Sequence, residues 1–207
     1  MSKANPIGLP TTSWHHRCST SKCLRGVNIV SKSQSEVLQA HLYILNNTDE
    51  VIPYIKAHKV IVKANNPREA EKWVLMEHNR TFMPWFKDEV LKDSTTLKTL
   101  TWLAAKLKFD VISCTAYEEN NCIFYTKSMD ENSTIKNSGV NLEVDSMQFS
   151  TSKDTNLVLG SMTNYGFTEE IWEVDYTKFF VLVFKCKWVE NKSGVKIDES
   201  KFTPMDF

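Results

Sequence analysis

The stretch Phe179-Phe180-Val181-Leu182-Val183-Phe184-Lys185-Cys186-Lys187-Trp188-Val189 decides the second half of this chain. Successive side chains on a strand point to opposite faces. Phe180, Leu182, Phe184, Cys186 and Trp188 therefore share one face, with Lys185 and Lys187 on the other. Working outward, β-branched and aromatic residues recur in runs bounded by Asn/Asp/Ser/Gly clusters. Six strands are expected: Asp110–Tyr117, Cys122–Lys127, Val140–Phe149, Gly166–Asp175, Phe179–Val189 and Val195–Phe202. Glu118-Glu119-Asn120-Asn121 and Asn191-Lys192-Ser193-Gly194 read as hairpin connections. Sequential strands without intervening helices imply an antiparallel sheet curled into a small barrel. The strand pattern runs to Phe207, which reads as a barrel cut short with an unpaired edge.

Upstream the period changes. Ser33 and Glu36 have capping-box spacing, and Val37, Leu38, His41, Leu42 and Leu45 follow one helical face. Asn47-Thr48-Asp49-Glu50 signals a second start, with Pro53 tolerable in the first turn. Asn66-Pro67-Arg68-Glu69 signals a third, carrying Trp73, Val74 and Met76, which Pro84 bends or restarts. A last helix covers Ser94 to Lys106. Residues 1–33 lack periodicity and read as a flexible linker. The expected fold is α+β: a linker (1–33), about four helices (34–108), then a β-rich domain (109–207), C-terminally truncated.

The 207 residues have ordinary globular composition, enough for one or two domains, and the longest apolar run, Phe179 to Phe184, is far short of the roughly 18 residues of a membrane span. No secretory h-region opens the chain. Net charge is zero, yet residues 1–108 hold 16 basic and 9 acidic side chains (+7) and residues 109–207 hold 9 and 16 (−7). The split reads first as two differently solvated faces of one protein that attract each other; the alternative is an acidic partner for the first half, with Lys56, Lys59, Lys63 and Arg68 as candidate nucleic-acid contacts, while the second half argues against a nucleic-acid groove. The odd set Cys18, Cys23, Cys114, Cys122 and Cys186 fits free thiols in a reducing compartment.

Chemistry-bearing motifs are sparse. His15-His16-Arg17-Cys18 with Cys23 matches no usual zinc spacing. Glu77 and His78 are helix neighbours that do not face each other. Cys114 and Cys122 flank a hairpin, but no histidine follows His78 to activate a thiol. Glu169, Glu173 and Asp175 alternate away from Glu170 and read as a solvated edge. Six scattered glycines exclude Gly-rich phosphate loops. No catalytic, metal or cofactor residue is assigned, and no small-molecule substrate or membrane partner is expected. Tyr165, Trp172, Tyr176 and Trp188, on adjacent expected strands, read first as core filling; the functional alternative is an interaction surface, a peptide- or methyl-lysine-binding cage.

Specific wording then matters. Phe124-Tyr125-Thr126-Lys127, Asp130-Glu131-Asn132-Ser133-Thr134, Asn137-Ser138-Gly139-Val140, Tyr165-Gly166, Glu169-Glu170-Ile171-Trp172-Glu173 with Asp175-Tyr176, and Phe184-Lys185-Cys186-Lys187-Trp188-Val189 with Ser193-Gly194-Val195 form one set. Together they resemble the uncharacterised C-terminal domain of plant CACTA (En/Spm-type) transposases. Ala40-His41-Leu42-Tyr43-Ile44-Leu45-Asn46-Asn47 and Glu77-His78-Asn79-Arg80-Thr81-Phe82 with Trp85-Phe86 resemble the helical segment preceding it, and Pro6-Ile7-Gly8-Leu9-Pro10 the region before that. The resemblance implies a non-catalytic fragment of a transposon-encoded protein, whose acidic-triad nuclease lies upstream. It implies nuclear location, cytoplasmic being the alternative in a chain without a targeting signal. In the intact parent it implies a region that helps bind chromatin, element DNA or a partner transposon protein, while the incomplete barrel is likened to SH3-like or bromo-adjacent-homology modules by analogy alone. Ala104-Ala105-Lys106-Leu107-Lys108 replaces the family's usual Gly-Pro turn, and Pro204 stands where an apolar residue is usual.

Overall fold

A computed structural model describes residues 7–8, 21–92, 97–148 and 158–189. The fold is α+β. The helices are α1 (Gln34–Asn46), α2 (Ile52–Asn65, entered through a 3-10 turn at Asp49–Val51), α3 (Glu71–Lys92), α4 (Lys98–Ala105) and a short α5 (Lys127–Glu131). The strands are β1 (Ile7–Gly8), β2 (Lys22–Arg25), β3 (Asn28–Ser31), β4 (Asp110–Cys114), β5 (Ala116–Glu119), β6 (Cys122–Tyr125), β7 (Gly139–Gln148), β8 (Val158–Asp175) and β9 (Phe180–Trp188).

Local chemistry sets several of these ends. Ser33 Oγ accepts the Glu36 N–H while the Glu36 carboxylate accepts the Ser33 N–H, which completes the expected capping box of α1. Pro53 sits in the first turn of α2. Pro84 does not restart α3, which runs through it. The Asn66-Pro67 signal marks an end rather than a start. The Asn66 N–H and its side-chain amide both bond back to Val62 O, capping α2, and Lys63 Nζ donates to Glu69 O across the turn. Helix α3 begins only at Glu71.

All strand pairings are antiparallel. A six-stranded sheet runs β1-β9-β8-β4-β3, with β7 also paired to β8. The length of β8 explains this branching: its first part pairs with β7 and its last part with β4, while β9 lies along its other edge. A second sheet, β2-β5-β6, is three-stranded. The strands do not close into a barrel among the described residues. The expected strand Val195–Phe202 lies outside them, as does the His15-His16-Arg17-Cys18 run.

The expected linker is partly structured. Strand β3 pairs with β4, from Asn28 opposite Ser113 to Ser31 opposite Asp110, and β2 pairs with β5. Each has four residues, too few to show a period. Their order comes from partners 79 to 96 residues away. A Cys23–Cys114 disulfide, with Cα atoms 5.9 Å apart, ties β2 to β4. The free-thiol expectation fails for these two cysteines, while Cys122 and Cys186 remain outside any disulfide.

The six-stranded sheet is covered on both faces. Val111, Trp172, Val174, Val181 and Val183 pack with Val37, Ile44, Phe82, Phe86 and Leu103 of the helices. The opposite face, Cys114, Ile171, Phe184 and Cys186, packs with Tyr117 and Phe124 of the smaller sheet. The expected alternation of β9 is therefore real, but its second face meets helices at Val181 and Val183 instead of water. Glu173 is likewise 2% exposed and accepts the Tyr117 hydroxyl at 2.8 Å, so it is not a solvated edge residue.

Gly166 is a tight point in this sheet. A Cβ there would lie 2.4 Å from Lys187 O and 3.0 Å from the Trp188 ring. Backbone cannot move aside as a flexible side chain can. Gly166→Ala is expected to lower the unfolding free energy by about 1–3 kcal/mol, read as a reduced urea midpoint at unchanged slope.

Candidate interaction surface

The main core ends at Ile55 on α2 and Phe82 on α3. Beyond it the two antiparallel helices continue as a hairpin, closed by Val62, Val74, His58 and His78, all buried. These residues fall at 55/58/62 and 74/78/82, the three- and four-residue spacing of an inward helical stripe.

The neck of the hairpin holds a histidine pair. His58 Nδ1 and His78 Nδ1 are 2.8 Å apart, with Phe82 and Trp85 against the His58 ring. The bonding network assigns the protons. Thr81 donates its hydroxyl proton to Glu77 O at 2.7 Å, so its oxygen is left to accept from His58 Nε2–H at 3.4 Å. His58 Nδ1 is then the acceptor and His78 Nδ1–H the donor. His78 Nε2 is left buried without a hydrogen-bond partner among the described residues. Burial, then the neighbouring His58 and Lys59, push the His78 ring down to about 4. Burial also lowers His58, against the attraction of Glu77. Glu77 is itself held below the usual carboxylate range by its bond from Arg80. Two ring nitrogens are too few for a zinc site, and no group of three or more ligating side chains occurs among the described residues. Glu77 and His78 do not form an acid–base pair: the carboxylate turns to Arg80 and the imidazole turns inward.

The outer surface of this hairpin is basic and apolar. Lys56, Lys59 and Lys63 recur at i, i+3 and i+7, so they share one face of α2. Lys56 and Lys59 are exposed and Lys63 half-buried, and Arg68 follows in the exposed turn. Lys56, Lys59 and Arg68 make no ion pair among the described residues. Four large apolar side chains are also exposed on these two helices: Val60 (68% exposed) and Ile61 (42%) on α2, Leu75 (49%) and Met76 (63%) on α3. An open recess at the turn is lined by Asn66, Pro67, Arg68 and Glu69.

The four expected nucleic-acid contacts are thus gathered at one end of the molecule. The four aromatics are not gathered. Trp172 (1% exposed) and Tyr176 (0%) are in the core on the helical side of the sheet. Trp188 packs on the opposite side, and Tyr165 is half-buried where β8 meets β7. Core filling therefore describes Trp172 and Tyr176, and the cage reading is corrected. The face of Trp172 is already covered by this chain's own cations, Lys32 Nζ at 5.0 Å and Lys185 Nζ at 5.6 Å.

Those lysines belong to a network that the strand pattern did not reveal. Glu170 accepts from Lys185 at 2.8 Å, from Trp172 Nε1 at 2.9 Å and from Lys32, and Lys185 reaches Glu36 at 3.1 Å. Burial pushes the Glu170 carboxyl up, but these donors outweigh it and hold it at about 2. Every charge in the cluster has an opposite partner, so it latches α1 onto the sheet and offers no spare reactive group. The arrangement as a whole is an α+β body from which a basic, partly apolar helical hairpin extends. Comparison with protein-family models, curated proteins and solved structures gives no match.

Proposed function

We propose that this chain is a non-catalytic interaction module, part of a plant CACTA-type transposon-encoded protein, and that it works through the outer half of the α2–α3 hairpin. The observation that carries this is the hairpin surface itself: Lys56 and Lys59, exposed and in no ion pair among the described residues, on a hairpin that also exposes four large apolar side chains beyond the end of the core. The family assignment and nuclear location rest on the residue resemblances given above, and the view of the strands as an incomplete SH3-like or bromo-adjacent-homology-like barrel rests on the strand pattern. No cofactor or metal enters this reading. The partner is the second protein encoded by the parent element or a chromatin protein.

The alternative partner is element DNA, favoured by the exposed Lys56, Lys59 and Arg68 beside Lys63. Each phosphate contact contributes about 0.9 to the slope of log affinity against log salt. If DNA is the ligand, replacing all four with alanine lowers affinity for a 20-base-pair duplex uniformly across sequences and flattens that slope. If the module binds protein, the same variant leaves any weak duplex binding unchanged. The protein reading further expects Lys56→Glu/Lys59→Glu/Lys63→Glu to weaken co-purification with the element's second protein at least tenfold, with far-UV circular dichroism unaltered. Co-purification indifferent to the triple change would remove the hairpin from the interface.

A further inference from the structure

We infer that the His58–His78 pair is an acid-sensitive clasp: proton uptake by the two rings opens the outer part of the α2–α3 hairpin, residues 59–77, while the sheet and the helices around the main core stay folded. This stands apart from the interaction reading, since it concerns how the hairpin closes and not what it binds.

The closed geometry has no place for an added proton. His58 Nε2–H donates to Thr81, and His78 Nδ1–H donates to His58 Nδ1 at 2.8 Å. A proton added to His58 Nδ1 would set two N–H groups head to head at that distance. A proton added to His78 Nε2 would create a charged N–H group with no acceptor among the described residues, on a side chain only 1% exposed. Burying a charge without a hydrogen-bond partner is strongly disfavoured. The surroundings offer little relief. Phe82 packs on both rings and Trp85 on His58. Lys59 of α2 repels a proton on His78. Glu77 of α3 attracts one on His58, but its carboxylate is already paired with Arg80. Helix α4, which joins α3 in the main core, turns Leu100 and Leu103 inward.

Little else holds this part of the hairpin shut. Within residues 59–77 only Val62 and Val74 are buried, and the main core ends at Ile55 and Phe82. A segment with so few buried apolar contacts opens without global unfolding. Once open, both rings meet water and titrate near pH 6.5. The stability contributed by neutral rings is therefore present above pH 6.5 and lost as the pH falls below it. With two protons bound only in the open form, the opening equilibrium rises on the order of a few hundred-fold from pH 7 to pH 5.

The test is amide hydrogen exchange of the full chain, resolved by NMR at pH 7 and pH 5 and corrected for the intrinsic effect of pH. Protection across residues 59–77 is expected to fall by that few hundred-fold, while β8 and β9 remain protected at pH 5. In His58→Leu/His78→Leu the hairpin's protection is expected to change less than about tenfold. The unmodified chain supplies a second readout should that variant fail to fold. The ring Cε1–H shifts of His58 and His78 are expected to move together, in step with the loss of hairpin protection. A hairpin whose protection at pH 5 matches that at pH 7 overturns the inference, whether or not the rings have titrated. So does opening that is equal in the folded double variant, or opening that coincides with loss of protection across β8 and β9, which would make the acid transition global.

Discussion

Reducing the Cys23–Cys114 bond is expected to lower the unfolding free energy by about 4–5 kcal/mol, the chain-entropy value for a closed loop of some ninety residues. The bond encloses β3 and all of α1 to α4, so its loss releases most of the first half of the unfolded chain from constraint. It also joins the smaller sheet to the main one at the edge of the second hydrophobic cluster, where Cys114 is 2% exposed. The effect is read from urea midpoints with and without dithiothreitol. Cys23→Ser/Cys114→Ser is expected to match the reduced protein and to ignore the reductant. An unmodified chain whose midpoint ignores the reductant would show that the bridge does not contribute.

Acidification is expected to have the next largest effect. Burial pushes the His41 ring down to about 4, and its Nδ1 shares a hydrogen bond with Tyr176 Oη at 2.7 Å inside the core. The folded state keeps this ring neutral, whereas the unfolded chain takes up a proton near 6.5. The stability that neutrality contributes is therefore present above pH 6.5 and is lost as pH falls towards 4. At 1.36 kcal/mol per unit this is about 3 kcal/mol for His41. His78, also held at about 4, drops over the same window and steepens the loss. The unfolding free energy should therefore decline steeply between pH 6.5 and 4. His41→Phe should be less stable at pH 7, since Tyr176 loses its partner, yet should show a shallower slope. A slope unchanged in His41→Phe would contradict the assignment.

Features fixed by near neighbours were legible in the sequence. Ser33 and Glu36 are three residues apart, and their reciprocal bonds depend on little else. The alternation of Phe180 to Trp188 likewise located β9 and one of its faces. Features fixed at a distance were not legible. Lys22–Arg25 and Asn28–Ser31 are strands because β5 and β4 lie beside them. Cys23 pairs with Cys114 only once β2 is in place. Asn66-Pro67 fits a helix start and a turn equally well, and the bonds from Asn66 back to Val62 decided for the turn.

The candidate site divides in the same way. Charge alone marked Lys56, Lys59 and Lys63, and their shared face followed only once α2 was known to run through them. Trp172 and Tyr176 stood between core and cage because alternation separates two faces without saying that helices cover one and a second sheet the other; their burial decides for core. The His58–His78 contact follows from two ordinary inward stripes, but only when α2 and α3 are set side by side in register. The Lys32–Glu170–Lys185–Glu36 network draws on four separate segments, and no window of sequence contains it.

The most direct test of the interaction account is hydrogen–deuterium exchange of the full chain, alone and with the second protein of the proposed parent element. The account predicts slowed exchange on binding across residues 56–80 of the α2–α3 hairpin, absent in the Lys56→Glu/Lys59→Glu/Lys63→Glu variant. Protection confined to the strands, or identical in the variant, would contradict it.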